Sequence, residues 1–144
     1  MCLITEQKKA IRTTEDMIVW KVMEGNRSTC KGFGYEVNKL YKTRMKQDYS
    51  FVKYGDSMVR SSYKEIFRLV NDHDGDVSTW KKSGFIAIGS GFHSCATKAR
   101  AEIMRVFSNY DLRSFLIPAG SLIYKDRTGL IVSNQIMMLP EENL

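Results

Sequence analysis

Met17-Ile18-Val19-Trp20-Lys21-Val22-Met23 is the stretch on which the fold turns. It is rich in β-branched and aromatic residues and stops at Glu24-Gly25-Asn26, which is how a strand and its turn are written. Strand alternation puts Ile18, Trp20 and Val22 on one face, with Val19 and Lys21 on the other. Downstream, Gly32 and Gly34 bracket Phe33, and Tyr35-Glu36-Val37 reads as the start of an extended segment running toward Leu40-Tyr41. Residues 48–59 fit strand or turn equally well. Gly84 to Ile88 reads as a short buried strand, and Gly89-Ser90-Gly91 turns the chain into Phe92-His93-Ser94-Cys95. Leu112 to Ile117, Ser121 to Tyr124 and Leu130 to Met138 read as three more strands. Pro118-Ala119-Gly120 and Asp126-Arg127-Thr128-Gly129 are the turns between them.

Helices are fewer. Ser61 or Ser62 can cap a helix at 63–70, where Tyr63, Ile66, Phe67 and Val70 keep helical spacing. Thr97 caps another that runs to about Phe107, with Ala99, Ile103, Val106 and Phe107 as its apolar stripe. Residues 3–12 form either a short helix or a mobile arm, which leaves 1–14 as a helical or loose leader. The expectation is α+β: a single domain over 1–144, mostly antiparallel sheet with two or three helices.

Composition narrows the class. The chain has 144 residues, of which 43% are hydrophobic and 26% charged, so disordered and collagen-like classes are excluded. Its three cysteines, Cys2, Cys30 and Cys95, make no CxxC pair, so zinc-knuckle and thioredoxin-type chemistry is excluded and a reduced compartment fits best. No segment has the apolar core of a signal peptide or the roughly 20 apolar residues of a membrane span. A soluble protein of the bacterial cytoplasm, with no membrane partner, is expected.

The net charge is +6. Residues 31–64 carry eight basic side chains, among them Lys39 and Arg44, against Glu36, Asp48 and Asp56, so five of the six net charges fall there. Phe33, Tyr35, Tyr41, Tyr49, Phe51 and Tyr54 are interleaved with them. Basic side chains with stacking rings suit single-stranded nucleic acid or a nucleotide. The same pattern also describes a core face backed by a wet lysine face.

Other constellations resolve to bland readings. Asp72, Asp74 and Asp76 open like an EF-hand, but Val77 and Ser83 stand where that loop needs Gly and Glu, so no calcium or other metal site is expected. The Gly89-Ser90-Gly91 turn lacks the remainder of a dinucleotide fingerprint, and no GK[ST] follows a glycine-rich loop. His93, beside Ser94 and Cys95, is read as a hydrogen-bonded structural residue before a catalytic one, so no catalytic residues are assigned. The start of the helix at Thr97 offers free N–H groups near Lys98 and Arg100, a weak anion lead.

Two segments carry a resemblance. Lys31-Gly32-Phe33-Gly34-Tyr35-Glu36-Val37-Asn38-Lys39-Leu40-Tyr41 resembles the (R/K)GFxYEVGKxY run of a family of small uncharacterised phage and prophage proteins. Ser90-Gly91-Phe92-His93-Ser94-Cys95 resembles the GFHxC run of that family, and Val19-Trp20-Lys21-Val22 its VxKV strand. Asn38 departs from the usual Gly, and 43–83 is insert-like. The resemblance implies a mobile-element origin. A more distant likeness is to ADP-ribosyltransferases, with Lys21 in place of their basic residue, Gly91-Phe92-His93-Ser94 as their second strand and Ile117-Pro118-Ala119-Gly120 as their turn. Leu130 to Met138 would be their acidic strand, and it holds no Glu, so the layout implies at most a degenerate relative without the carboxylate that stabilises the reaction's charge.

The expected function is a non-enzymatic binding module of phage or prophage type, a host-defence antagonist by extension, without a cofactor. Its partner would be a host protein or a small anionic ligand such as a nucleotide. Lys21, Tyr35, Lys39, Tyr41, Arg44, His93 and Ser94 are the candidate binding residues. Alternatives are a degenerate ADP-ribosyltransferase-like NAD-binding domain and a nucleic-acid binder acting through 31–64.

Overall fold

A computed structural model describes residues 3–29, 32–54, 57–60, 68 and 80–141. The strands are β1 (Leu3–Thr5), β2 (Ile11–Arg12), β3 (Met17–Glu24), β4 (Arg27–Ser28), β5 (Leu40–Lys42), β6 (Gln47–Tyr54), β7 (Ser57–Arg60), β8 (Trp80–Ile88), β9 (Phe92–Cys95), β10 (Asp111–Ile117), β11 (Leu122–Lys125), β12 (Leu130–Ser133) and β13 (Gln135–Met138). One helix, α1 (Lys98–Met104), stands between β9 and β10. The larger sheet runs β2-β11-β12-β9-β3-β10-β13-β5, with β4 paired on β3; the smaller runs β1-β8-β6-β7. All pairings between these strands are antiparallel.

The larger sheet is coiled, and chain connectivity requires it. Four strand spacings separate β12 from β13, roughly 19 Å across a flat sheet. Only Asn134 lies between their ends, and two Cα steps span at most about 7.6 Å. The sheet therefore curls until its flanks meet in one bent strand, 130–138, and four antiparallel pairings leave both halves running the same way. Asn134 makes the bend: its Oδ1 accepts from the Leu122 N–H at 2.8 Å, while its own carbonyl accepts from the Thr43 N–H at 2.9 Å. The single strand expected over Leu130 to Met138 is thus two strands serving opposite flanks.

Inside the coil pack Val19, Met23, Phe115, Ile117, Ile131, Ile136 and Met138, with Tyr35 and Phe92 near one mouth. On β3 the inward face is Val19, Lys21 and Met23, and the expected alternation holds. A second cluster of Leu3, Ile86, Ile88 and Val132 joins the smaller sheet to the back of β12. Both faces of β12 are consequently buried, with Ile131 inward and Val132 outward.

Several expectations need correction. Among the described residues there is one helix, not two or three; of 63–70 only Arg68 is described, and it is helical. The cap at Thr97 is as expected, its Oγ1 accepting from the Arg100 N–H at 3.1 Å. The helix nevertheless stops at Met104, and its buried residue is Ala101, not the stripe of Ala99, Ile103, Val106 and Phe107. Ile103 and Val106 are 77% and 79% exposed. Residues 3–12 are neither helix nor arm. Leu3 is buried beside Ile88, and Gln7 reaches across to the Ile123 carbonyl, because both edges of the sheets accept these short strands. Tyr35 to Val37 is loop, not strand, since Gly32 and Asn38 both take positive φ and turn the chain twice. Asn tolerates that backbone better than other side chains. Of residues 48–59, 48–54 lie on β6 and 57–59 on β7, and the two strands pair antiparallel. The acidic loop at 71–76 lies outside the described residues.

Candidate functional site

The register of the coiled sheet builds the site. Arg113 on β10 is the Cα partner of Lys21 on β3, and Ser94 on β9 is the partner of Ile131 on β12. Trp20 pairs with Cys95, so one rung further Lys21 lies beside Ser94. An inward row of Ile131, Ser94, Lys21 and Arg113 results, with two cations on adjacent strands. Like charges placed opposite each other disfavour the sheet unless other groups answer them. Arg113 is answered by the Leu139 carbonyl at 3.1 Å and by the Glu141 carboxylate at 3.3 Å. Lys21, 6% exposed, donates through Nζ to the His93 carbonyl. Its ammonium also lies 5.6 Å from the Tyr35 ring centre and 5.9 Å from that of Phe115, within cation–π range.

His93 is half-buried, its Nδ1 3.3 Å from the Gly91 carbonyl and its Nε2 3.3 Å from the Ile88 carbonyl. A neutral imidazole can donate to one of these and an imidazolium to both. Cys95, the partner of Trp20, is buried beside α1. Burial pushes the thiol above its usual value, outweighing the opposite pull of Arg100 and Lys21, and its Sγ lies 3.5 Å from Met104 Sδ. Gly91 sets the angle at which β9 begins. Its φ is 120°, and a Cβ there would stand 2.5 Å from Val132 Cγ1.

Two cavities meet at this row. The larger, about 620 Å³, opens at one mouth of the coil between the 32–35 loop, β5 and the 89–92 turn. Lys21, Tyr35, Tyr41 and His93 line it, together with Phe33, Phe92, Lys42 and Ser28. The smaller, about 330 Å³, runs under α1 and is mostly apolar, with Trp20, Val22, Met104, Phe107 and Tyr110 in its wall. Lys21, Ser28 and His93 belong to both. Ser94 lines the smaller cavity only.

The seven sequence candidates therefore divide. Lys21, Tyr35, Tyr41 and His93 converge on the larger cavity, and Ser94 joins Lys21 and His93 on the smaller. Lys39 and Arg44 line neither. Lys39 instead pairs with Glu36 at 3.3 Å on the surface and lies over the Tyr41 ring. Tyr35 is a core residue, 3% exposed, held edge-on by Phe33, Tyr41 and Phe115. Tyr41 braces the same loop by accepting the Glu36 N–H at 2.8 Å. Both rings thus take part in the protein's own packing, Tyr35 buried and Tyr41 half-buried at the cavity. Trp20, Ser28 and Phe92 escaped sequence reading because their roles depend on strands distant in the chain.

Among the described residues no group of three or more His, Cys, Asp or Glu could hold a metal ion. No helix among them is long and apolar enough to cross a membrane. Comparison with family models, curated proteins and solved structures finds no match. Of the segments likened to an ADP-ribosyltransferase, Lys21 lies on β3, 92–94 on the neighbouring β9 and 117–120 at the end of β10, while 130–138 is divided between β12, beside β9, and β13, beside β10. On β12 Ile131 and Ser133 are buried, and no carboxylate is present between Leu130 and Met138.

Proposed function

We propose that this chain is a binding module, of the phage or prophage type its motifs resemble, whose larger cavity takes a small anionic ligand with a planar ring, such as a nucleotide. One observation carries the reading: Lys21 and His93, from two neighbouring strands, share a cavity of about 620 Å³ with the rings of Phe33 and Tyr41. That volume is in the range of small-molecule sites. The cation supplies the charge and the rings supply an apolar wall for the planar part. The residues favour binding over turnover, because the thiol is masked by burial and the last strands hold no carboxylate.

Calorimetric titration with a nucleotide panel that includes cyclic nucleotides, ADP-ribose and NAD tests this. Saturable heat with at least one member is expected. Lys21→Met should lower its affinity by about ten-fold or more, the usual worth of a hydrogen bond from a charged group. Lys39→Ala, outside the cavity, should leave it unchanged. No heat from any member overturns the reading. Heat from NAD alone would turn it toward the degenerate ADP-ribosyltransferase-like alternative.

A host protein as partner is the second reading, supported by the outward-facing Ile103, Val106 and Phe107 at the end of α1. Retention of a single host protein by the immobilised chain, lost on Ile103→Asp with Phe107→Asp, is the expected result. Retention unaffected by that pair would remove it. Nucleic-acid binding through 31–64 is the remaining alternative: an affinity that falls steeply with salt would support it, and flat salt dependence would remove it.

A further inference from the structure

One ring of the larger cavity is left open by the fold. Tyr35 and Phe92 line that cavity but are 3% and 8% exposed, and Tyr41 is half-buried, whereas Phe33 is 44% exposed. Tyr35, Tyr41 and Phe92 meet the Phe33 ring at interplanar angles of 64°, 86° and 68°, so none of them stacks flat upon it. Its backbone is held on both sides. The Ser28 N–H donates to the Phe33 carbonyl at 2.9 Å, Arg27 bridges to Gly34, and the Tyr35 N–H donates to the Asn26 carbonyl at 2.8 Å. The ring is therefore presented in advance, and a planar group that stacks on it orders little of the chain. Lys21 stands one tyrosine away: the Tyr35 ring centre is 4.9 Å from that of Phe33 and 5.6 Å from Lys21 Nζ. Cation and open ring thus lie within the span from phosphate to base of a mononucleotide. The wall between them is poor in groups that read a base edge. Among the described residues it holds no Asp, Glu, Asn or Gln, the side chains that pair with one base edge and refuse another. Its hydroxyls, on Ser28 and Thr43, donate or accept alike.

Resting on the reading of this cavity as a site for an anion with a planar ring, we propose that Phe33 is its specificity-determining residue and that its ligands are purine nucleotides, selected by ring size and not by base identity. A fused bicycle covers more of an open aromatic face than a single ring does, and the gain from stacking follows the area covered. With no carboxylate or amide to read the base edge, adenine and guanine are held alike.

Calorimetric titration of the full chain with AMP, GMP, CMP and UMP tests this. Both purines should bind about five-fold or more tighter than both pyrimidines, with AMP and GMP within about three-fold of each other. Phe33→Leu keeps an apolar side chain without a flat face and should bring the four affinities together. Phe33→Trp keeps a flat face and should keep the purine preference; Tm of each variant confirms folding. A purine preference that survives Phe33→Leu overturns the proposal. So does a gap between AMP and GMP of about ten-fold or more, the worth of a base edge that is read. Equal binding of all four by the unaltered chain overturns the proposal and leaves the anionic reading of the cavity standing. Silence from all four overturns the proposal as well, and the anionic reading then rests on the cyclic nucleotides, ADP-ribose and NAD. If Phe33→Leu does not fold, Phe33→Trp decides: a purine preference kept there upholds the proposal, and one lost there overturns it.

Discussion

The inward face of β3 and the outward stripe of α1 break the same rule in opposite directions. On β3 a lysine stands between Val19 and Met23 and is buried with them. On α1 and the turn after it, Ile103, Val106 and Phe107 keep helical spacing and stay in water. Apolar periodicity says which residues share a face, but not whether another element covers that face. β3 lies in the middle of the coiled sheet and is enclosed on its inward side, whereas α1 meets the sheet through the small Ala101. Both departures border a cavity: Lys21 lines the two, and Val106 and Phe107 line the smaller. Places where local pattern and burial disagree are where function is to be sought.

Substitutions can sharpen that contrast. Phe115→Ala, at the fully buried centre of the coil, should cost about 3–5 kcal/mol in urea unfolding, the usual loss for a buried ring. A cost below 1 kcal/mol would mean that the interior is not packed as described. Gly91→Ala combines a positive φ with a Cβ driven into Val132, and should cost roughly 2–4 kcal/mol by the same measurement. On the helix side the effects shrink. Thr97→Ala removes the N-cap and should cost about 1 kcal/mol. Ile103→Ser, in water already, should change stability by no more than about 0.5 kcal/mol. A larger loss there would show the stripe to be covered, and the contrast would fail.

Cys95, where β9 passes beneath α1, adds a pH test. Its thiol is held above the usual value by burial, so the folded chain keeps that proton when the unfolded chain has released it. Stability attributable to this group is complete below the ordinary thiol value and declines as pH rises through the raised one. Thermal unfolding should therefore show a loss at alkaline pH that Cys95→Ala reduces. An alkaline decline identical in the two proteins would assign it to other groups.

Many strand positions were legible, because β-branched and aromatic runs ending in glycine turns leave few alternatives; β3, β10 and β11 lie within two residues of their expected bounds. The Thr97 cap was legible for the same local reason. The site was legible in part. His93 stood out as a histidine after a glycine turn and Lys21 entered through the ADP-ribosyltransferase likeness of its strand, whereas Lys39 and Arg44 lay in the basic region 31–64. Ser28, Trp20 and Phe92 carried no local signal, since their neighbours at the cavities come from β4, β3 and β9, joined by pairing and not by spacing.

By itself, then, the sequence determined that Met17 to Met23 is a strand with Val19 and Lys21 sharing one side. Which side faces inward, and that Lys21 meets Arg113, Ser94 and His93 there, was decided only when Asn134 bent the last strand across both flanks of the sheet. Alternation is a property of one strand's backbone, whereas enclosure depends on pairings among residues up to a hundred positions apart.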